Sequence, residues 1–111
     1  MKKHFYSHLI DFEPIVIKLT ELEFNDEEQA HLLEIAQDSI HHEILDVILS
    51  ELSEDDKKYF LHLVLDDDHE EIWVHLNARV ENIEVKIKEA AQKLQEELHR
   101  DIQELKEEND L

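Results

Sequence analysis

The chain contains no cysteine, no glycine and a single proline, Pro14, in 111 residues. Without cysteine there are no disulfides and no thiolate chemistry, so the sequence gives no guide to redox compartment. Without glycine there is no phosphate-cradling loop and no nucleophile elbow, which excludes the nucleotide-loop enzymes. At an average usage of roughly 7%, several glycines would be expected. Hairpins and tight turns with positive φ normally recruit glycine or asparagine. Their scarcity argues against a β-rich fold and for helices joined by short polar links. No apolar run is long enough to span a membrane. The start, "MKKHFYSHLIDFEP", has a basic tip but no apolar segment followed by a small-residue cleavage site. The expectation is a cytoplasmic protein without a membrane partner.

Positive charge is the other scarcity. Eleven lysines and arginines face 30 aspartates and glutamates, for a net charge of -19. Such a surface repels nucleic acid and anionic lipid, and no basic patch is visible, so direct nucleic-acid binding is not expected. An acidic chain can instead attract a basic protein or mimic DNA in front of one. The plainer reading is that the acids are solvated helix faces.

What is present points to an all-α protein, a small bundle of four to five helices with a long C-terminal helix. Hydrophobic residues make up 41% of the chain, enough for the modest core of one small domain. Residues 1–13 read as an N-terminal arm or short helix with Phe5, Leu9 and Phe12 at helical spacing. Residues 14–107 form a single helical domain, and 108–111 a frayed tail. Pro14 suits a first helical turn, where its missing N–H costs nothing. Ile15, Leu19 and Leu22 follow at helical spacing, although "IVIKLTELEF" is β-branched enough to leave a strand as the alternative.

Two helix starts are explicit. Asn25 can cap and Glu28 can close a capping box, opening a helix to about Leu49. Its apolar stripe is Ala30, Leu33, Ile40, Ile44, Val47 and Ile48, with Gln37 inside it, His41 at its edge, and His31 and His42 pointing away. Ser53 can cap a shorter helix carrying Tyr59, Phe60, Leu63 and Val64, with Asp56 placed to close a second box. That helix halts at Asp66–Asp68, where Asp67 or Asp68 can cap another helix bearing Ile72, Trp73 and Leu76.

The last segment carries Leu76, Val80, Ile83, Ile87, Ala90, Leu94, Leu98, Ile102 and Leu105 in steps of three or four, a seam near the coiled-coil period. A continuous helix from Glu70 to Glu107 would be roughly 57 Å long at about 1.5 Å per residue. The preceding helices are too short to cover that length, so the distal seam is expected to need a partner chain. The alternative is a break in "NARVEN", with Asn82 as cap.

The stretch from Pro14 to about Gln95 resembles an uncharacterised family of small acidic helical proteins from uncultivated bacteria that carry a domain of unknown function. Leu52, Ser53, Glu54 and Asp55 match one motif. Val80, Glu81, Asn82, Ile83 and Glu84 match a second, with Glu81 where the family pattern has proline. The resemblance implies an all-helical domain and no particular activity.

Nine histidines invite a metal reading, since imidazoles with carboxylates make zinc and non-haem iron sites. Glu28 with His31 and Glu96 with His99 have the Glu-x-x-His spacing of helical di-iron sites. Yet His31 faces away from its apolar stripe, and His99 merely follows Leu98. His69 with Asp66–Asp68 and Glu70 lacks the alternate ligands and turn glycine of a calcium loop. His41 is read as a boundary histidine or, alternatively, a buried ligand or pH switch. Serines are few, and Ser53 is a cap. Carboxylates on a solvated face have no reason for the shifted pKa that acid–base catalysis needs. No catalytic residue, metal or cofactor is expected, and Trp73 is read as a core anchor.

The expected function is therefore a non-enzymatic interaction module. It would bind a protein partner, or form a homo-oligomer, through Ile87, Leu94, Leu98, Ile102 and Leu105. The alternatives are an acidic inhibitor, antitoxin-like protein or nucleic-acid mimic aimed at a basic protein, and a metal-binding protein using histidine and carboxylate.

Overall fold

The computed structural model describes residues 4–109 of the chain. A short 3₁₀ turn, Ser7–Leu9, precedes five α-helices: α1 (Glu13–Glu21), α2 (Asp26–Ser50), α3 (Glu54–Leu65), α4 (His69–Arg79) and α5 (Ile83–Asn109). No strand occurs among the described residues, so the β-branched start of α1 is helical, with Pro14 in its first turn. The break in the last segment is real, because α4 ends at Arg79 and Val80 is extended. Residues 1–3 of the N-terminal arm and 110–111 of the tail lie outside the described residues. Glu108 and Asn109 continue α5.

The caps follow the sequence closely. Asn25 and Glu28 form the reciprocal capping box. Ser53 accepts from the Asp56 amide, and Asp68, rather than Asp67, accepts from the Glu71 amide. The second box does not close. The Asp56 carboxylate accepts from the Ser53 hydroxyl at 3.1 Å and pairs with Arg79 Nε at 3.4 Å instead.

A chain without glycine still needs left-handed residues at its turns, and here Glu23 and Asp67, just after α1 and α3, and Asn82, just before α5, take positive φ. At the end of α1, the Phe24 amide donates to the Leu19 carbonyl and the Glu23 amide to Thr20. At the end of α3, the Asp68 amide donates to Leu63 and the Asp67 amide to Val64. Both are Schellman closures with an acid in the position that glycine usually holds. The three aspartates thus divide the labour: Asp66 ends α3, Asp67 turns the chain and Asp68 starts α4.

The two long helices pair antiparallel. Ile44 and Ile48, late in α2, share a core with Ile83 and Ile87, early in α5, together with Phe60, Leu63, Ile72 and Leu76 from α3 and α4. Ala36, in the first half of α2, shares a second core with Ile102 near the end of α5 and with Ile15 and Leu19 of α1. The buried positions of α2 are Ala36, Ile40, Ile44 and Ile48, so Ala36 replaces the expected Ala30, which is exposed. The shortfall of cover expected for a continuous helix from Glu70 to Glu107 does not arise, because the chain breaks between α4 and α5. The 25 residues of α2 run beside the 27 of α5, and α1 packs against both.

The N-terminal segment is part of the core rather than a loose arm. Phe5 and Tyr6 are buried against α2, α3 and α4. Fully burying a side chain of this size is worth about 1.5–3 kcal/mol, which holds a segment with only one 3₁₀ turn of its own.

Candidate functional site

The predicted seam is largely occupied from within the chain. Ile87 is fully buried and Ile102 is 6% exposed, whereas Leu94 and Leu98 are half-buried. Leu105 is the seam residue left open, at 38%. Gln95 further ties α5 to the chain's beginning, its side-chain amide donating to the Asp11 carbonyl at 2.9 Å.

The polar chemistry gathers elsewhere, where the N-terminal segment crosses α2 and α4. The His4 amide donates to the Ser7 hydroxyl at 2.7 Å, and the Ser7 amide returns to the His4 carbonyl at 3.0 Å. This tight turn sets the backbone so that Phe5 faces the core edge-on to Phe60 and Trp73. The Trp73 indole N–H donates to the Phe5 carbonyl at 2.9 Å. On the α2 side, the His4 ring stacks on His41 with centroids 4.4 Å apart, and on Tyr6 at 5.1 Å. The Tyr6 hydroxyl hydrogen-bonds His41 Nδ1, and the His42 ring lies 6.1 Å from His41.

Burial pushes the Tyr6 phenol above its ordinary value, so it is protonated at neutral pH. The His41 imidazole is held below its ordinary value, first by burial and then by His4 and His42, with Asp38 opposing. The consistent pattern at neutral pH is a Tyr6 hydroxyl donating to a bare Nδ1 of neutral His41. The site can therefore take up a proton on acidification. A phenol held protonated is a poor nucleophile at neutral pH.

His4 also joins two clefts. One is an open groove of about 470 Å³ lined by His4, His8, His69, Glu70 and Trp73 with Phe5 and Ser7. The other is a cleft of about 40 Å³ between His4, His41, Asp67 and His69. His69, which no capping role requires, has its Nε2 2.9 Å from the Asp67 carboxylate.

The remaining histidine readings separate. His31 and His42 are exposed, as expected, and His41 sits at the buried edge of α2. Glu28 is occupied in the Asn25 box, and His99 lines a shallow groove with Pro14 and Gln95. Among the described residues, no group of three or more histidines and carboxylates is placed to hold a metal ion. His75, two residues after Trp73, is a further polar side chain brought inside. It is buried against the Tyr59 ring, with Nε2 donating to the Asp56 carbonyl at 3.3 Å. The sequence signal for it was its place one residue before Leu76 and three after Ile72, on the buried side of α4.

Fold and site together define an all-α bundle with a histidine and aromatic corner clasping its N-terminal segment. No helix among the described residues is long and apolar enough to cross a membrane. No protein-family profile, curated protein or solved structure matches the chain.

Proposed function

We propose that the chain is a non-enzymatic protein-binding module that presents its acidic surface to a basic protein. One observation carries this reading: every described aspartate and glutamate except Asp56 is exposed. The surface is also elongated, with extents of 51 × 23 × 20 Å. A net charge of -19 over 51 Å is roughly one negative charge per 3 Å, against about one per 1.7 Å for duplex DNA. The charge converges at one end, where α1 finishes, α2 begins and α5 ends. Glu21, Glu23, Asp26, Glu27, Glu28, Glu104, Glu107 and Glu108 are exposed there. Lys106, the cation of that end of α5, lies over the Phe24 ring at 5.2 Å.

Self-association through α5 is the second reading, and the exposed Leu105 is what favours it. Membership of the acidic helical family suggested by Leu52–Asp55 would be compatible with either reading and would add no activity.

The test is recovery of partners from the native cell on the full chain, with salt titration and a variant in which Glu27, Glu28, Glu104 and Glu107 become glutamine. The expected result is a basic protein whose affinity falls with salt and falls again in the variant. Recovery of no basic partner at low salt, or binding indifferent to salt, would overturn the reading. Sedimentation equilibrium of the chain alone decides the second reading.

A further inference from the structure

Three features of the His4–His41 corner govern its response to acid. First, His4 and His41 lie face to face at 4.4 Å, and His42 adds a third ring at 6.1 Å from His41. Protonating these rings places like charges in contact, where stacking gives way to repulsion. Second, a proton on His41 Nδ1 turns that atom from acceptor to donor. The Tyr6 oxygen can then accept from Nδ1–H, but the buried hydroxyl hydrogen loses its acceptor, and a buried donor without a partner is unfavourable. Third, what this corner holds is short: the described chain before α1 has one 3₁₀ turn, and besides the corner it is held by Phe5, Leu9 and Ile10 on the core, by the Trp73–Phe5 hydrogen bond and, beyond residue 10, by Gln95 on the Asp11 carbonyl.

The charges facing His41 come from each neighbouring element. His4 and Tyr6 lie on the N-terminal segment, and Asp38 and His42 on α2. Asp67 and His69 face the shared cleft from the α3–α4 link and the start of α4. Asp38 opposes the effect but is exposed on the surface. Asp67 is already engaged with His69, its carboxylate lying 2.9 Å from Nε2.

We propose that His4, Tyr6, His41 and His42 form an acid-sensitive latch: neutral rings hold residues 4–10 on the bundle, and their protonation releases that segment. Release uncovers the apolar surface that Phe5 and Tyr6 cover, with Phe60 and Trp73 at its centre. The five-helix body keeps its own core of Ile40, Ile44, Ile72, Leu76, Ile83 and Ile87. This inference is independent of the acidic-surface reading, since none of its groups belongs to the acidic end.

The single tryptophan makes the test direct, because the full chain gives one indole N–H signal by NMR. Its protection against exchange, corrected for intrinsic rate, is followed from pH 7.5 to 5 beside that of the α2 and α5 amides. The expected result is a fall in Trp73 indole protection of about tenfold for each unit separating the latched and released pKa values, with α2 and α5 protection retained. His41→Asn keeps an acceptor for Tyr6 without a titrating group and should flatten the fall. His4→Asn removes the stacked charge without touching α2 and should reduce it, even if the first variant folds poorly. Indole protection unchanged down to pH 5 would overturn the latch. So would loss of α2 and α5 protection in parallel, or a fall of the same size in both variants.

Discussion

Trp73 and Phe5, 68 positions apart, are joined by a 2.9 Å hydrogen bond from the indole N–H to the backbone carbonyl. It ties α4 to the segment before α1, and it lies beside an edge-on contact of the two rings. Trp73→Phe retains an aromatic ring but leaves that carbonyl without its donor. The expected cost is about 1–3 kcal/mol in urea unfolding followed by circular dichroism. A change below about 0.3 kcal/mol would show that water replaces the donor freely.

Ile102 fills the core between α1 and the first half of α2, within one chain. Ile102→Ala should therefore cost about 2–4 kcal/mol, as for other large-to-small changes in packed interiors. The midpoint of unfolding, for wild type and variant alike, should be independent of protein concentration. A midpoint rising with concentration would show instead that a second chain supplies the cover.

Glu23 holds a left-handed conformation, φ 60°, with a side chain that gains nothing from it in the bonds described. Left-handed backbone costs an ordinary residue about 1–2 kcal/mol, while glycine adds back about 0.4–1 kcal/mol of unfolded-state freedom. Glu23→Gly is expected to stabilise the chain by about 0.5–1 kcal/mol. The same change at Asp67 should gain less, because its carboxylate also meets His69. Thermal melts of the two variants side by side provide the comparison, and a destabilised Glu23→Gly would contradict it.

His41 gives a stability effect of defined sign. Its imidazole is held below its ordinary value of 6.5 in the folded chain. As pH falls through 6.5 the unfolded chain takes up the proton first, so folding stability declines until the lowered folded value is passed, then levels off. The wild type minus His41→Asn difference isolates the effect. Measured by urea midpoints, wild type should lose ground to the variant between pH 7.5 and 5.5. A constant difference across that range would remove His41 as the cause.

Much of the fold was legible because its signals are local. Asn25 and Glu28, Ser53 and Asp68 each bond to backbone within three residues, so the side chain that starts a helix sits beside that start in sequence. The stop at Asp66–Asp68 belongs to the same class. The failures are long-range. A period of three or four along α5 reveals an apolar face and says nothing of which chain covers it, and here α1 and α2 do. Residues 4–12 have too little regular structure for periodicity to place Phe5 and Tyr6 in the core. His41 was legible as a boundary histidine from its angle on α2. Its partners His4 and Tyr6 lie more than 30 positions away, and no helical spacing reports them.

Among the described residues the two cores differ in size, fourteen buried side chains in one and five in the other, and Leu98 packs against both. Both cores are built on α2 and α5, and the smaller one has the less apolar burial to hold it, so it opens at lower free energy. That end is the one bearing Glu21, Glu23, Asp26–Glu28 and Glu104–Glu108, where mutual repulsion works against the least apolar burial. A cationic surface docking there would do more than pair charges. It would quiet the end of the molecule with most freedom to fray, so that partner binding registers as rigidification of α1 and the tips of α2 and α5.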